Sequence, residues 1–281
     1  MAKTPSESQR LALESVLDRW ADWDVQPPLT HRPQITEILG VGTANLVVGA
    51  SGSGEFAIRM PDSTDTPTGI DVSTSFIAHR HAAGLGIAPP VVYTCEDTGI
   101  WVMARCQPPP FPINEEQLGG LLKSVRALPP LNHQLDLAAH LDNYQTASGG
   151  PEIRALLTAW RPPLDRALER LNQYPQVPCH NDLTPGNVLM AAGGGWVAID
   201  WDYAAMGSPW FDLAAALAER PNLKSEPLIR AAGLDATDRL SLSDALAIYT
   251  ALSFLWYSSL GQRPPEPYTQ DRVQHYLRRV R

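Results

Sequence analysis

The sequence predicts an α+β protein in two lobes, a small antiparallel β-rich lobe over residues 1–106 and a larger, mainly helical lobe over residues 107–281. Three observations carry this expectation. Between Ile35 and Met60 the chain runs in short apolar stretches broken by glycine, which is strand patterning with hairpin punctuation. Beyond Pro112 the apolar residues recur mostly at helical spacing. Between these regimes lies QPPPFP, residues 107–112, whose successive prolines lack backbone donors and act as a stiff connector.

In order along the chain, TPSESQRLALESVLDRWADWDV opens with Thr4 as an N-cap, Pro5 at the first helical position and Glu7 completing a capping box; Leu11, Val16, Leu17, Trp20 and Trp23 then fall near one helical face. Antiparallel strands follow through ITEILGVGTANLVVGASGSGEFAIRMP, with SGSGE at the centre of a hairpin. STSFIAHRHAAGL reads as a helix, and VVYT and IWVMA as two further strands. Past the prolines, EEQLGGLLKSVRAL, EIRALLTAWRPPLDRALERL, DLAAALAER and residues 241–260 carry helical periodicity, interrupted by the hairpin-like NVLMAAGGGWVAID.

The chain has 281 residues, 44% hydrophobic and 19% charged, enough to bury a substantial core and unlike long disorder, collagen or a coiled coil. A formal charge of −8 and a pI near 5.3 argue against nucleic acid or anionic lipid as partners. Cys95, Cys106 and Cys179 form no CxxC pair, which suits a reducing compartment and small core residues. The N-terminus lacks a signal-like apolar stretch and no run approaches the ~20 apolar residues that cross a bilayer, so a cytoplasmic protein without a membrane partner is expected. No repeat of fixed period is present, which sets aside solenoids and propellers.

Chemistry concentrates in HNDLTPGNVL, residues 180–189, and in Asp200 at the end of WVAID, 13 residues beyond Asn187. Four residues separate Asp182 from Asn187, the spacing H-x-D-x-x-x-x-N of a kinase catalytic loop, and Asp200 takes the place of the second metal-binding acid. A phosphoryl group in transit needs its charge neutralised by Mg²⁺, for which an amide oxygen and a carboxylate, Asn187 and Asp200, are suitable hard ligands. Asp182 is then the carboxylate that orients the acceptor hydroxyl and takes its proton. His180 is assigned to backbone support; Asp202 is either a weaker second acid at the site or a surface residue.

These residues resemble the choline/ethanolamine kinase and aminoglycoside phosphotransferase superfamily, which has a protein-kinase-like fold. The resemblance rests on HNDLTPGN, on the strand end IDWDYA and on GSPWFDLA, and extends over most of the chain; FAIRMP and GIAPPVVY look most like bacterial choline kinases and thiamine kinase. It implies ATP as the phosphoryl donor and Mg²⁺ as its metal, and gives Asp212 the support of the catalytic loop. It implies further that LGVGTANLVV covers the nucleotide, with Gly40 and Gly42 approaching phosphates and Thr43 and Asn45 donating hydrogen bonds; that Arg59 stands for the strand lysine that holds phosphates; and that adenine is met around Met103–Arg105. One departure is plain: the helix acid that partners the strand cation would fall near Ser75, and no Glu occurs between residues 56 and 95, leaving Asp71 to reach across or Arg59 without that ion pair.

Only 11 residues separate Asp200 from Asp212, which leaves no room for a phosphorylatable activation segment, so a small-molecule alcohol and not a protein is the expected substrate. Leu242, Leu246, Tyr249, Trp256 and Leu260 fall near one helical face and read as core; alternatively Trp256 and Tyr257, with Trp210, wall a site for a cationic head group. Choline, ethanolamine, thiamine and the aminoglycosides all satisfy that chemistry. Two rivals stand beside the kinase: a catalytically silent nucleotide-binding module, and a metal-dependent hydrolase built from His180, Asp182, Asp200 and Asp202. Oligomeric state is not legible in the sequence.

Overall fold

The computed structural model describes residues 5–42, 45–61, 70–145 and 150–280. The chain divides into two compact units: Met1–Pro67 with Ala82–Pro108 and Leu189–Val197, and Thr68–His81 with Pro109–Val188 and Ala198–Arg281. The division is not one cut at the prolines, because the start of the helix after residue 70 groups with the helical unit and the tip of the later hairpin with the sheet unit.

In the first unit, α1 (Glu7–Asp18) precedes an antiparallel sheet of β1 (Gln34–Val41), β2 (Asn45–Ser51), β3 (Glu55–Pro61), β4 (Val91–Cys95) and β5 (Ile100–Ala104), in the spatial order β1-β2-β3-β5-β4. The β2–β3 register pairs Leu46 with Met60, Val48 with Ile58 and Ala50 with Phe56, so one sheet face is apolar. Leu13, Val16 and Leu17 of α1 pack on that face. Strand alternation turns Arg59, paired with Val47 and Trp101, to the opposite face.

The start of α1 differs from the sequence reading. Ser6 is the N-cap, accepting from Gln9 N–H, and the Gln9 side chain accepts from Ser6 N–H; the box therefore uses Gln9 where Glu7 was expected. Pro5 precedes the helix, and Thr4 lies outside the described residues. The buried stripe is Leu13, Val16 and Leu17, and Leu11, expected on it, is 68% exposed.

The second unit takes in most of α2 (Val72–Gly84) and holds α3 (Glu115–Arg126), α4 (Leu137–Asn143), α5 (Pro151–Leu171), β6 (Val177–Cys179), β9 (Ala205–Gly207), α6 (Pro209–Ala218), α7 (Ser225–Ala231), α8 (Arg239–Ser259) and α9 (Gln270–Leu277); the hairpin strands β7 (Val188–Met190) and β8 (Trp196–Ala198) straddle the division. α8 is long and apolar enough to span a membrane by composition, yet it is the central helix here, mostly buried against α5, α6 and α9. α5 runs through Pro162 and Pro163 because its inner face, Trp160, Leu164, Leu168 and Leu171, is buried and Arg170 grips the buried Asp244 of α8 with two bonds of 2.6 and 2.7 Å. α3 meets α7 so closely at Gly119 that a Cβ there would lie 2.4 Å from Ala231 Cβ. The antiparallel pair β6–β9 was not anticipated, its strands being three residues each and too short for period-2 patterning.

Candidate active site

The segment 180–187 connects β6 to β7 and each of its polar groups is held from a different place. His180, fully buried, has its Nε2 2.9 Å from the carbonyl of Ile199 and accepts the Asp182 N–H at Nδ1, 3.3 Å away, so both ring nitrogens are used. Burial lowers its pKa to about 4, which keeps the ring neutral with the proton on Nε2. That arrangement removes His180 as a metal ligand and, with it, the hydrolase set. Asn181 adopts a left-handed backbone (φ 65°); its N–H donates to Asp212 Oδ1 (2.8 Å) and its Nδ2 to Tyr203 O (2.9 Å). Asp212, at the start of α6, is buried and thereby pushed up to about 6.

Asn187 Nδ2 donates to both the backbone carbonyl of Asp182 (2.8 Å) and its Oδ2 (2.9 Å), which leaves Asn187 Oδ1 as a free-facing amide acceptor for a cation. Ile199 N–H bonds to Asn187 O at 3.0 Å, so the residue before Asp200 is fastened to the metal-ligand candidate of the loop. Asp200 is exposed and, like Asn181, left-handed (φ 60°); the two are the non-glycine residues of positive φ among those described, and such strain persists where neighbours over-determine the backbone. Burial, then the Asp200 charge, push the Asp182 carboxyl up to about 8. Among the described residues no group of three or more His, Cys, Asp and Glu forms a cage; two protein oxygens are the donor set expected for a magnesium ion that completes its shell with water and phosphate.

Behind Asp182 stands an aromatic and acidic set. Tyr249 OH lies 3.5 Å from Asp182 Oδ1, Tyr249 packs edge-on to Tyr268 (5.9 Å), and Tyr257 stacks on Tyr268 (6.0 Å, 25°). Tyr268 OH donates to Glu219 Oε1 at 2.6 Å, and Glu219 also raises the Asp182 pKa. Trp256 stands edge-on to Tyr257 at 4.7 Å, and both are half-buried. Trp210 is not part of this set: it is 2% exposed and packs edge-on to Tyr174, so it serves the core. The expected core stripe holds for Leu242, Leu246 and Tyr249, whereas Leu260 is 46% exposed because the helix has ended at Ser259.

The remaining candidates distribute as follows. Asp202 is buried in the turn after Asp200, and its backbone carbonyl accepts from Ser75 Oγ at 3.1 Å. Ser75 itself is buried, so the position where the helix acid was expected instead ties α2 to the turn behind Asp200; a Ser75→Glu change would bury a carboxylate there. Asp71 caps α2 through Ser73 Oγ (2.6 Å) and Thr74 N–H (2.7 Å). In the first unit Arg59 lies over the Trp101 ring at 4.5 Å. Gly40 has open space around its Cα, Gly42 N–H bonds to Asn45 O (2.8 Å), Asn45 begins β2, and Thr43 lies outside the described residues. Met103 is buried in β5; Arg105 pairs with Glu37 (2.7 Å) and Glu55 (3.5 Å).

Residues 107–243 match the model of the phosphotransferase enzyme family, APH. This stretch, just under half of the chain, is similar to the phosphotransferases of that family. It contains the whole segment 180–187, Asp200, Asp212 and Glu219, while Tyr249, Tyr257 and Tyr268 follow it. The fold of the chain is that of known small-molecule kinases: a choline kinase from Streptococcus pneumoniae (TM-score 0.75, 16% identity, 98% of this chain and 99% of that one), a choline/ethanolamine kinase family protein from Mesorhizobium loti (0.68, 21%, 96% and 99%) and a spectinomycin phosphotransferase in complex with ADP and spectinomycin (0.53, 14%, 95% and 93%). No curated protein matches the sequence.

Sequence reasoning missed Glu219, Arg220 and Tyr268 and read Tyr249 only as core. Glu219 had a signal, since it stands seven residues after Asp212, two helical turns along the same side of the segment. Tyr268 had none, because it sits in a loop and acquires its meaning from Glu219 and Tyr249.

Proposed function

We propose that the chain is an ATP- and Mg²⁺-dependent kinase that phosphorylates a hydroxyl of a small cationic metabolite, of the choline, ethanolamine or thiamine kind, with cytoplasmic placement. The observation that carries this reading is the position of Asp182, bonded to Asn187 on one side and facing Tyr249, with Tyr268 and Glu219 behind it, on the other. Asn187 Oδ1 and Asp200 would hold Mg²⁺, which when bound neutralises charge on the transferring phosphoryl group. Asp182, its ionised form favoured by the charge that a nearby Mg²⁺ would bring, accepts the proton of the acceptor hydroxyl as the hydroxyl oxygen bonds to the γ-phosphorus and ADP departs. Arg59, with its guanidinium on the sheet face opposite the apolar core, suits a role on nucleotide phosphates. Two features favour a cationic acceptor: acids crowd together (Asp182, Asp200, Glu219), and half-buried rings (Tyr257, Trp256) adjoin Glu219 through Tyr268.

A coupled ADP-release assay over choline, ethanolamine, thiamine and an aminoglycoside tests the reading, with Asp182→Asn as control. Turnover in the wild type should fall by roughly 10² to 10⁴ in Asp182→Asn, the range for a lost general base. Choline should exceed uncharged 3,3-dimethylbutanol in kcat/KM by roughly thirtyfold, the worth of about 2 kcal/mol from a desolvated cation–π contact. Equal use of the two withdraws the cationic class; preference for the aminoglycoside transfers the same chemistry to antibiotic modification.

A further inference from the structure

Arg220 lies just past α6 and is 9% exposed. Its Nη1 reaches back to the carbonyl of Leu183 at 2.7 Å and also bonds the carbonyl of Ala216. Its Nη2 is buried without a hydrogen-bond partner among the described residues. Burial lowers its pKa to about 10, while Glu219, Tyr249 and Tyr268 act in the other direction, so the guanidinium stays charged at neutral pH and lies beside the set that faces Asp182.

A buried cation with an unmet donor is an unfavourable way to satisfy a carbonyl, since a neutral donor would do so without desolvating a charge. What the long side chain provides is reach: Leu183 follows Asp182 directly, and its backbone carbonyl accepts from a side chain beyond α6. The other fixtures of the loop hold the Asp182 N–H (His180) and the Asp182 carbonyl (Asn187, Thr184). The peptide planes on both sides of the Asp182 Cα are held by those bonds, and Arg220 holds the next one, 183–184, so three successive planes are fixed and the backbone that carries the carboxylate cannot turn as a unit.

We propose that Arg220 is a positioning residue, which fixes the Leu183 carbonyl and so aims the Asp182 carboxylate at an acceptor held against Tyr249, Tyr268 and Glu219. This rests on Asp182 being the acceptor base. The experiment compares Arg220→Met and Arg220→Lys with wild type in kcat, KM for ATP, Tm and amide hydrogen exchange. Arg220→Met should lower kcat by on the order of 10²-fold, as for a misplacement of about 1 Å. Its KM for ATP should stay within about twofold. Loss of a partly paired buried cation offsets the lost bonds, so Tm should move by no more than about 4 °C. Exchange should quicken by roughly tenfold or more at amides 182–187 and not in α8. Arg220→Lys, which keeps charge and donors, should recover part of kcat.

A kcat in Arg220→Met within twofold of wild type overturns the proposal, as does a loss of kcat that tracks a loss of folded protein. If the wild type phosphorylates no acceptor, the kinase reading fails on that result alone. Hydrogen exchange still decides the clamp: unchanged exchange at 182–187 overturns it, and quickening confined there supports it.

Discussion

Two regions of this protein, the segment 180–187 and the edge strand β1, are built in different ways. The segment 180–187 is fastened by His180 to Ile199, by Asn181 to Asp212 and Tyr203, by Asn187 to Asp182 and by Arg220 to Leu183. The edge strand β1 is plainer: among the described residues, Gly42 N–H at its end bonds to Asn45 O, a side chain on Gly40 would meet nothing within 4 Å, and Ile35, Ile38, Leu39 and Val41 are all exposed. Side-chain chemistry demands the first construction, because a carboxylate that must meet a hydroxyl is useful only if aimed. An edge strand that faces outward on both its ends asks for less, and its glycines meet no such demand. Among the described residues, the left-handed non-glycine ones are Asn181 and Asp200, in or fastened to the segment 180–187.

The largest effect expected from breaking the fastened side is at Asp200. Asp200→Ala should lower transfer by on the order of 10³-fold or more, the several kcal/mol that a metal supplies to phosphoryl transfer. It should also remove the Mg²⁺ dependence of ATP binding measured by titration calorimetry. Unchanged Mg²⁺-dependent binding would move the metal elsewhere.

Next is the acid stability of the same loop. His180 has a folded pKa of about 4, below its unfolded value near 6.5, so between these values the unfolded chain binds the proton and the native one does not. Stability from this group is therefore present above about pH 6.5 and is lost as pH falls towards 4, a change of about 3 kcal/mol over the window. Urea denaturation of wild type and His180→Gln at several pH values isolates it: the wild type should lose about that much more than the variant between pH 6.5 and 4. Parallel pH profiles would show that His180 is not held neutral.

The smallest effect sharpens the open side. Arg59→Ala should raise the KM for ATP by roughly tenfold, about 1.4 kcal/mol, and leave that for the acceptor near wild type. An ATP KM indifferent to the change would mean that Arg59, which lies over the Trp101 ring, does not hold nucleotide phosphates.

Much was legible in the chain because much of it is local. Strand alternation, helical periodicity and the proline connector depend on residues a few positions apart, and they delivered the β1–β5 sheet and α2, α3, α5 and α8 with ends within a few residues. The spacing of His180, Asp182, Asn187 and Asp200 was readable for the same reason, since one loop and one hairpin set it. Three features were decided by tertiary structure. The stripe of α1 fell on Leu13, Val16 and Leu17, leaving Leu11 out, because those are the residues that meet the sheet. Trp210 went into the core, out of the acceptor wall, because its place on α6 faces Tyr174. Glu219, Arg220, Tyr249 and Tyr268 converge on Asp182 from α6, α8 and a loop up to 86 residues away in sequence, and no local pattern encodes a meeting whose only cause is the packing of α6 and α9 on α8. Residue type and spacing determine which chemistry is available; packing determines which side chains are desolvated together, and it is desolvation that pushes Asp182 up to about 8, His180 down to about 4 and Arg220 down to about 10.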